Sequence, residues 1–85
     1  MVFEVVWDSA VLKILDKLPR QEAERIVKKI GLVRENPLRY VERLVEMDGY
    51  KVRVGDYRVF VDLEHLQNKL IVRTIRHRRD AYKKK

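Results

Sequence analysis

The chain has 85 residues and no cysteine, and its 20 Lys and Arg against 13 Asp and Glu give a formal net charge of +7. This length predicts one domain over residues 1–85 with a small core, and the lack of cysteine, together with only two histidines, excludes disulfides and predicts no metal or other cofactor. No apolar run exceeds three residues, so we expect no membrane span and a cytoplasmic location.

The first half of the chain predicts a strand followed by a pair of helices. Residues 2–7 are rich in β-branched and aromatic side chains, which is typical of a buried strand, and Asp8 can cap a following helix. Apolar residues then recur with helical spacing on both sides of Pro19, a residue that suits the start of a second helix. Gly31 within the second stripe could mark a close helix contact. An Asn-Pro pair ends the stripe, so we expect a helical hairpin.

The second half of the chain predicts an antiparallel meander. Two pairs, Asp48-Gly49 and Gly55-Asp56, favour two-residue hairpin loops, and the first of them would place Glu46 opposite Lys51. The predicted fold is α+β with the order β-α-α-β-β-β, in which a two-helix hairpin packs on one face of a small, mainly antiparallel, twisted sheet. The strands of the meander are expected over residues 43–47, 50–54, 57–63 and 69–76.

The hairpin closed by the Gly-Asp pair would bring cations together. It puts Arg53 opposite Arg58 and Lys51 opposite Phe60 on one face, while valines alternate onto the other face. Like charges directly opposite destabilise a sheet, by a few tenths to about 1 kcal/mol if the scale for opposite-charge pairs holds with its sign reversed. A phosphate group would compensate a guanidinium pair well. The cations could instead form the solvated face of a half-covered sheet. A solvated face would normally include acids or threonines among its side chains. Besides the cations, the two hairpin strands place only Phe60 and Asp62 on this face.

The positive charge is concentrated in the second half of the chain. Residues 1–49 carry nine Lys or Arg and nine Asp or Glu, whereas residues 50–85 carry eleven and four. Such asymmetry is typical of a protein with a polyanionic partner, because released counterions supply affinity.

A second basic cluster follows the last predicted strand. It could be only a terminal arm, and residues 80–85 are expected to form a basic tail. Pairing of the last strand would bring Arg78 and Tyr82 toward the hairpin cations, and an aromatic ring beside Arg can stack RNA bases. His77 could be a solvent-facing histidine without a role or a general base. The cluster consists of Arg76, His77, Arg78, Arg79 and Tyr82.

Two motifs and the order of elements point to a known family. The motifs are Tyr-Lys-Val-Arg-Val-Gly-Asp-Tyr-Arg-Val-Phe at residues 50–60 and His-Arg-Arg-Asp-Ala-Tyr at residues 77–82. With them and the predicted order of elements, the chain resembles the RelE/ParE toxin superfamily. The resemblance implies a toxin of a type II toxin-antitoxin system with a RelB-like antitoxin as partner, in a complex that could be heterotetrameric. RelE-like members enter the ribosomal A site and cut messenger RNA without a metal, through attack of a 2′-hydroxyl on the adjacent phosphate.

The resemblance also implies roles for single residues. Lys51 would deprotonate the 2′-hydroxyl, and Arg53 and Arg58 would hold the phosphate oxygens. Arg78 would stabilise or protonate the leaving 5′-oxygen, and Tyr82 would stack on or orient the nucleotide. The family often has lysine at the position of Arg53, and an arginine that stays charged cannot act as a base. Further substrate contacts are expected from Phe60, Arg76, His77 and Arg79.

Two other functions remain open at this point. A ParE-like toxin shares the fold and inhibits DNA gyrase by protein contact, but such members typically lack the clustered catalytic basic residues. The other alternative is a module that binds RNA, the ribosome or only an antitoxin, without catalysis. The combination of Arg58 with Arg78 and Tyr82 favours RNA cleavage.

Overall fold

The structure, a computed structural model, describes residues 2–45 and 48–81, with side chains as far as Arg79. Two longer helices separate the first strand from the rest of the sheet, and two short helices flank the meander. In chain order the elements are β1 (Glu4–Trp7), α1 (Ser9–Lys17), α2 (Arg20–Val33), α3 (Pro37–Tyr40), β2 (Glu42–Arg43), β3 (Tyr50–Val54), β4 (Tyr57–Glu64), β5 (Lys69–His77) and α4 (Arg78–Ala81).

The strands of the described chain form a single sheet with the order β1-β5-β4-β3-β2. Strand β1 runs parallel to β5, and every other neighbouring pair is antiparallel. The parallel pair follows from the helical hairpin, because a crossover connection is needed to return the chain in the same direction. The predicted α+β fold with a mainly antiparallel sheet is therefore confirmed.

The helices begin where the local sequence predicts. Asp8 caps α1, and its side chain accepts a hydrogen bond of 2.9 Å from the Ala10 N–H, while Pro19 occupies the position before α2. Pro37 begins α3, which the sequence pattern did not predict. The close contact considered for Gly31 is wrong, because no described atom lies within 4 Å of a Cβ added there, apart from its chain neighbours and the adjoining backbone of α2. No helix in residues 2–45 and 48–81 is long and apolar enough to cross a membrane.

The core lies between the helical hairpin and one face of the sheet. Alternation along β3 and β4 turns every second side chain toward the helices, so the valines there become buried. Burial of these side chains supplies the main stabilisation of such a small domain. The fully buried residues come from both layers and are Val11, Ile26, Ile30, Val33, Val52, Val59, Val61, Leu70 and Val72.

The connection before β3 differs from the predicted one. The Asp-Gly pair predicted a two-residue turn with Glu46 opposite Lys51, but β2 places Glu42 opposite Lys51, and a longer loop joins the two strands. A hydrogen bond of 3.1 Å from the Leu44 N–H to the Gly49 carbonyl oxygen closes this loop. Lys51 still faces an acid across the strand pair, although not the predicted one, and Glu46 lies outside the described residues.

A bulge interrupts the pairing of β4 with β5. The register shifts between the pairs Phe60–Thr74 and Val61–Val72, which leaves Arg73 as the extra residue on β5. Arg73 Nε donates a hydrogen bond of 2.6 Å to the carboxylate of Asp62. Because of this extra residue, the alternation of side chains between the two faces of β5 shifts by one position at Arg73.

Candidate phosphate-binding site

Three arginines stand side by side across the face of the sheet that is turned away from the helices. Arg58 on β4 lies opposite Arg53 on β3 and also opposite Arg76 on β5. Side chains at directly opposite positions have Cβ atoms about 4.5–5.5 Å apart. The predicted pairing of Arg53 with Arg58 is confirmed. We call the three residues Arg53, Arg58 and Arg76 the arginine row.

A second row of side chains lies next to the arginine row on the same face. Phe60 pairs with Lys51 on one side, as predicted, and with Thr74 on the other. Lys51 and Phe60 are only partly buried, so an amine and an aromatic ring remain accessible beside the guanidinium groups. This combination can bind a phosphate and stack a base at the same place.

The C-terminal segment reaches the hairpin through its backbone. The Arg78 N–H donates a hydrogen bond of 2.7 Å to the carbonyl oxygen of Asp56 in the hairpin loop. A cleft of about 240 Å³ results, and its walls include Arg53, Arg58 and Arg78 together with Asp56 and Tyr57. The structure therefore brings together three of the predicted catalytic residues, and Lys51 lies two residues from Arg53 on the same strand.

Acidic side chains lie near some of the cations without enclosing them. Glu42 is 3.8 Å from both Lys51 Nζ and Arg53 Nε, and the Glu42 and Arg53 side chains are more than half exposed. An ion pair between exposed side chains, such as Glu42 with Arg53, contributes about 0–1 kcal/mol, so an external phosphate group could compete with Glu42 for Arg53. No carboxylate of a described side chain lies within 4.0 Å of a nitrogen of Arg76.

The remaining predicted contacts lie elsewhere. His77 pairs with Tyr57, and the two rings meet edge to face with centroids 5.1 Å apart, on the side of the sheet opposite the arginine row. Its Nδ1 accepts a hydrogen bond of 3.2 Å from the Arg79 N–H. Arg79 is exposed on α4. Tyr82 lies outside the described residues, so its role stays a prediction.

Two residues near the site escaped the sequence analysis. The guanidinium group of Arg25 on α2 lies against the hairpin loop, 3.2 Å from the position that a Cβ on Gly55 would occupy. Helical periodicity predicts only that Arg25 lies on the surface of α2. Its position beside Gly55 depends on how α2 packs against the hairpin loop. Glu42 is the other residue. Its position opposite Lys51 could have been predicted only from the correct length of the loop before β3.

The sequence matches a protein family described as "ParE toxin of type II toxin-antitoxin system, parDE" over residues 5–82. A search for similar curated protein sequences gave no match.

Solved structures of toxins share the fold. A chain of the toxin-antitoxin complex RelBE2 from Mycobacterium tuberculosis is 22% identical with a TM-score of 0.83, and the match covers 91% of this chain and 99% of that chain. A mutant E. coli toxin RelE in the free state is 24% identical with a TM-score of 0.79, covering 95% and 88%. A chain of the archaeal RelE-RelB complex from Pyrococcus horikoshii OT3 is 21% identical with a TM-score of 0.76, covering 92% and 97%.

Proposed function

Since the chain belongs to the ParE toxin family of type II toxin-antitoxin systems, within the RelE/ParE superfamily, we propose that this toxin is a ribosome-dependent endoribonuclease. Its substrate would be messenger RNA in the ribosomal A site. In the reaction the 2′-oxygen of one nucleotide bonds to the adjacent phosphorus, and the bond from phosphorus to the 5′-oxygen breaks. The 2′-hydroxyl loses its proton and the leaving 5′-oxygen gains one, which yields a 2′,3′-cyclic phosphate and a free 5′-hydroxyl.

The arginine row carries this proposal. Like charges directly opposite on neighbouring strands destabilise a sheet, and here the arrangement occurs twice in succession, between Arg53 and Arg58 and between Arg58 and Arg76. A bound phosphate would remove the repulsion through charge-assisted hydrogen bonds to the guanidinium forks. The same contacts would become stronger as negative charge builds up on the phosphate oxygens in the transition state.

The cleft beside the hairpin loop supports an assignment of roles. Arg53 and Arg58 line the cleft, where they could hold the phosphate oxygens, and Arg78 lines it as well, near Asp56. From there Arg78 could stabilise the charge on the leaving 5′-oxygen. Lys51, beside Glu42, would face the attacking 2′-hydroxyl. Positioning and charge stabilisation of this kind can supply a large part of the catalysis of phosphoryl transfer.

The face next to the cleft would hold the nucleotide. Phe60 lies between Lys51 and Thr74, and its partly exposed ring could stack on a base. Arg76 extends the positive surface on the far side of Arg58. Tyr82 keeps its proposed stacking role, whereas His77 and Arg79 would act, if at all, from the end of β5 and from α4.

Cleavage on programmed ribosomes tests the proposed function. We expect the wild-type protein to produce messenger fragments that end in a 2′,3′-cyclic phosphate, and Arg58→Ala to lower the rate by about 100-fold to 1,000-fold, as for loss of one transition-state donor. The matched control is Arg20→Ala, which makes the same chemical change at a side chain that is 91% exposed on α2. Undiminished cleavage by Arg58→Ala would rule out the proposed phosphate clamp.

An antitoxin is the proposed protein partner. RelB is present in the solved complexes from Mycobacterium tuberculosis and Pyrococcus horikoshii OT3, and a RelB-like protein with an extended helix could cover the basic face or the helical hairpin here. The hairpin offers an apolar groove along Leu15, Ala23 and Val27, and Leu12 and Val27 are about half exposed. Together these exposed groups favour the hairpin as the surface for an apolar helix. A heterotetrameric complex is the stoichiometry we propose.

Inhibition of DNA gyrase is the second candidate function, because the matching family is named for ParE. In that case the protein would contact gyrase through its surface, and the basic cleft would not perform chemistry. A supercoiling assay with purified gyrase separates the two functions. Inhibited supercoiling with intact messenger RNA would support the ParE-like function, and cut messenger RNA with normal supercoiling would support the endoribonuclease. Binding to RNA with neither effect would leave a non-catalytic module.

A further inference from the structure

A second cationic cleft lies between helix α2 and the hairpin loop. It has a volume of about 270 Å³, and we call it the α2 cleft. Arg53 and Gly55 line both this cleft and the one beside the arginine row. The two clefts therefore form a continuous positive surface that turns around the β3 side of the sheet. The lining of the α2 cleft consists of Arg25, Lys28, Lys29, Leu32, Arg53, Val54 and Gly55.

The charges of the α2 cleft have one sign. Four of its lining side chains are cationic and none of the described ones is acidic. Glu22 lies 3.6 Å from Arg25, and Glu42 lies 3.8 Å from Arg53, but neither acid lines the cleft. Lys29 Nζ lies over the ring of Tyr40, 5.0 Å from its centroid. Lys28 is exposed, and no described side chain forms an ion pair with it.

The hairpin loop lets these cations approach the strand. Gly55 has a φ of +58°, as the first central residue of a type II′ turn requires, and a Cβ there would meet the Arg25 guanidinium group at 3.2–3.4 Å. The absence of a side chain at Gly55 thus gives space to Arg25 beside the loop. As a result, α2 adds positive charge next to Arg53 rather than on a separate surface.

We propose that the α2 cleft binds the phosphate backbone of the RNA segment next to the nucleotide held by the arginine row. The proposal rests on the proposed function, since it assumes that the arginine row binds RNA. A row of phosphates suits a continuous positive surface without base-reading groups, because each neutralised phosphate adds affinity through counterion release. The RNA would then pass from the open face of the sheet, past Arg53 and over Gly55, to Lys28 on α2.

The test compares two charge reversals on a probe that cannot be cut. The probe is a fluorescent single-stranded RNA with 2′-O-methyl groups, and anisotropy gives its affinity over a salt series. Lys28→Glu is the test variant, and Lys13→Glu is the control, because Lys13 is also exposed but lies on α1 outside the cleft. The melting temperatures of both variants show that each is folded.

We expect Lys28→Glu to weaken binding of a long probe severalfold and to lower the slope of log affinity against log salt by about 1. Lys13→Glu should leave the slope unchanged. With a probe too short to extend beyond the arginine row, Lys28→Glu should behave like the control. Equal effects of the two variants on the long probe would overturn the proposal, and the same loss with the short probe would do so too.

Failure of this inference can be told apart from failure of the proposed function. Suppose that the wild-type protein cleaves messenger RNA on programmed ribosomes but Lys28→Glu and Lys13→Glu bind the long probe equally. This result would overturn only the proposed role of the α2 cleft. Absence of cleavage on ribosomes would overturn the proposed function. Tight binding of an acidic peptide to the α2 cleft, unaffected by an excess of the long RNA probe, would assign the cleft to a protein and also overturn the inference.

Discussion

The backbone N–H of Arg78 donates a hydrogen bond of 2.7 Å to the carbonyl oxygen of Asp56. This bond joins the start of α4 to the hairpin loop, and it places Arg78 beside Arg53 and Arg58 through backbone geometry. The side chains of the joined residues contribute little, because Arg78 Nη1 and Asp56 Oδ1 are 4.0 Å apart and both side chains are 66% exposed. The position of Arg78 therefore does not require the Asp56 carboxylate.

Replacement of Asp56 by asparagine should strengthen RNA binding. The change removes a negative charge from the wall of the cleft but keeps the carbonyl oxygen that accepts the Arg78 N–H. We expect tighter binding of the 2′-O-methyl RNA probe at low salt, with the free energy of unfolding within about 0.5 kcal/mol of wild type. Weaker binding by a folded Asp56→Asn variant would contradict the assignment of this cleft to phosphate.

Glu42→Gln should have a similar effect on the other side of the site. The Glu42 carboxylate lies 3.8 Å from both Lys51 and Arg53, where it competes with a phosphate for the same cations. Removal of the Glu42 charge should raise the affinity for the RNA probe. It should cost about 1 kcal/mol of stability, because Glu42 and Arg53 are exposed although the Lys51 side chain is only 21% exposed. Glu35→Gln is the control, since Glu35 is exposed and forms no ion pair with a described residue. Equal affinity changes in the two variants would show only a general effect of net charge.

Arg76→Thr should stabilise the protein while it weakens RNA binding. The change relieves the repulsion between Arg76 and Arg58 and introduces a β-branched residue that favours a strand, so the free energy of unfolding should rise by a few tenths to about 1 kcal/mol. Arg73→Thr is the control on the same strand. Arg73 donates a hydrogen bond of 2.6 Å to Asp62, and its replacement should lower stability.

Urea denaturation measures the stability of Arg76→Thr and Arg73→Thr, and fluorescence anisotropy measures their affinity for the RNA probe. The expected result is a more stable protein with lower affinity for Arg76→Thr, and a less stable protein for Arg73→Thr. A loss of stability in Arg76→Thr would mean that the arginine row is not a strained arrangement, and the observation that carries the proposed function would fail.

The hairpin between β3 and β4 was predictable because a local signal determines its register. A Gly-Asp pair between two alternating runs leaves room for one two-residue loop, so the pairing of Arg53 with Arg58 follows from counting outward from that loop. The start of α1 was predictable for a similar reason, since the Asp8 side chain caps it directly.

The rest of the site depends on contacts between distant parts of the chain. The position of Arg76 opposite Arg58 depends on the loop and the bulge between β4 and β5, and no dipeptide in that region specifies either one. The loop before β3 was predicted too short, because an Asp-Gly pair favours but does not impose a two-residue turn. The approach of Arg25 to Gly55 arises only when α2 packs against the sheet.

Two glycine-to-alanine changes separate conformational from packing effects, and they should act in opposite directions. Gly55 has a φ of +58°, and an added Cβ would lie 3.2 Å from the Arg25 guanidinium group, so Gly55→Ala should lower the free energy of unfolding by roughly 1–2 kcal/mol. Gly31 is inside α2, and a Cβ added there has no described atom within 4 Å apart from its chain neighbours and the adjoining helix backbone. Gly31→Ala should therefore raise stability by roughly 0.5–1 kcal/mol.

Both glycine variants can be compared by urea denaturation and by cleavage on programmed ribosomes. Gly31→Ala should cleave like wild type, because Gly31 lines neither cleft. Gly55→Ala should cleave more slowly at a temperature where it is still folded, because strain in the loop shifts Arg53 and Arg58, which flank it, relative to Arg78. Wild-type stability and cleavage in Gly55→Ala would show that the loop can adopt another turn without loss of function, which contradicts the close packing of the loop against α2.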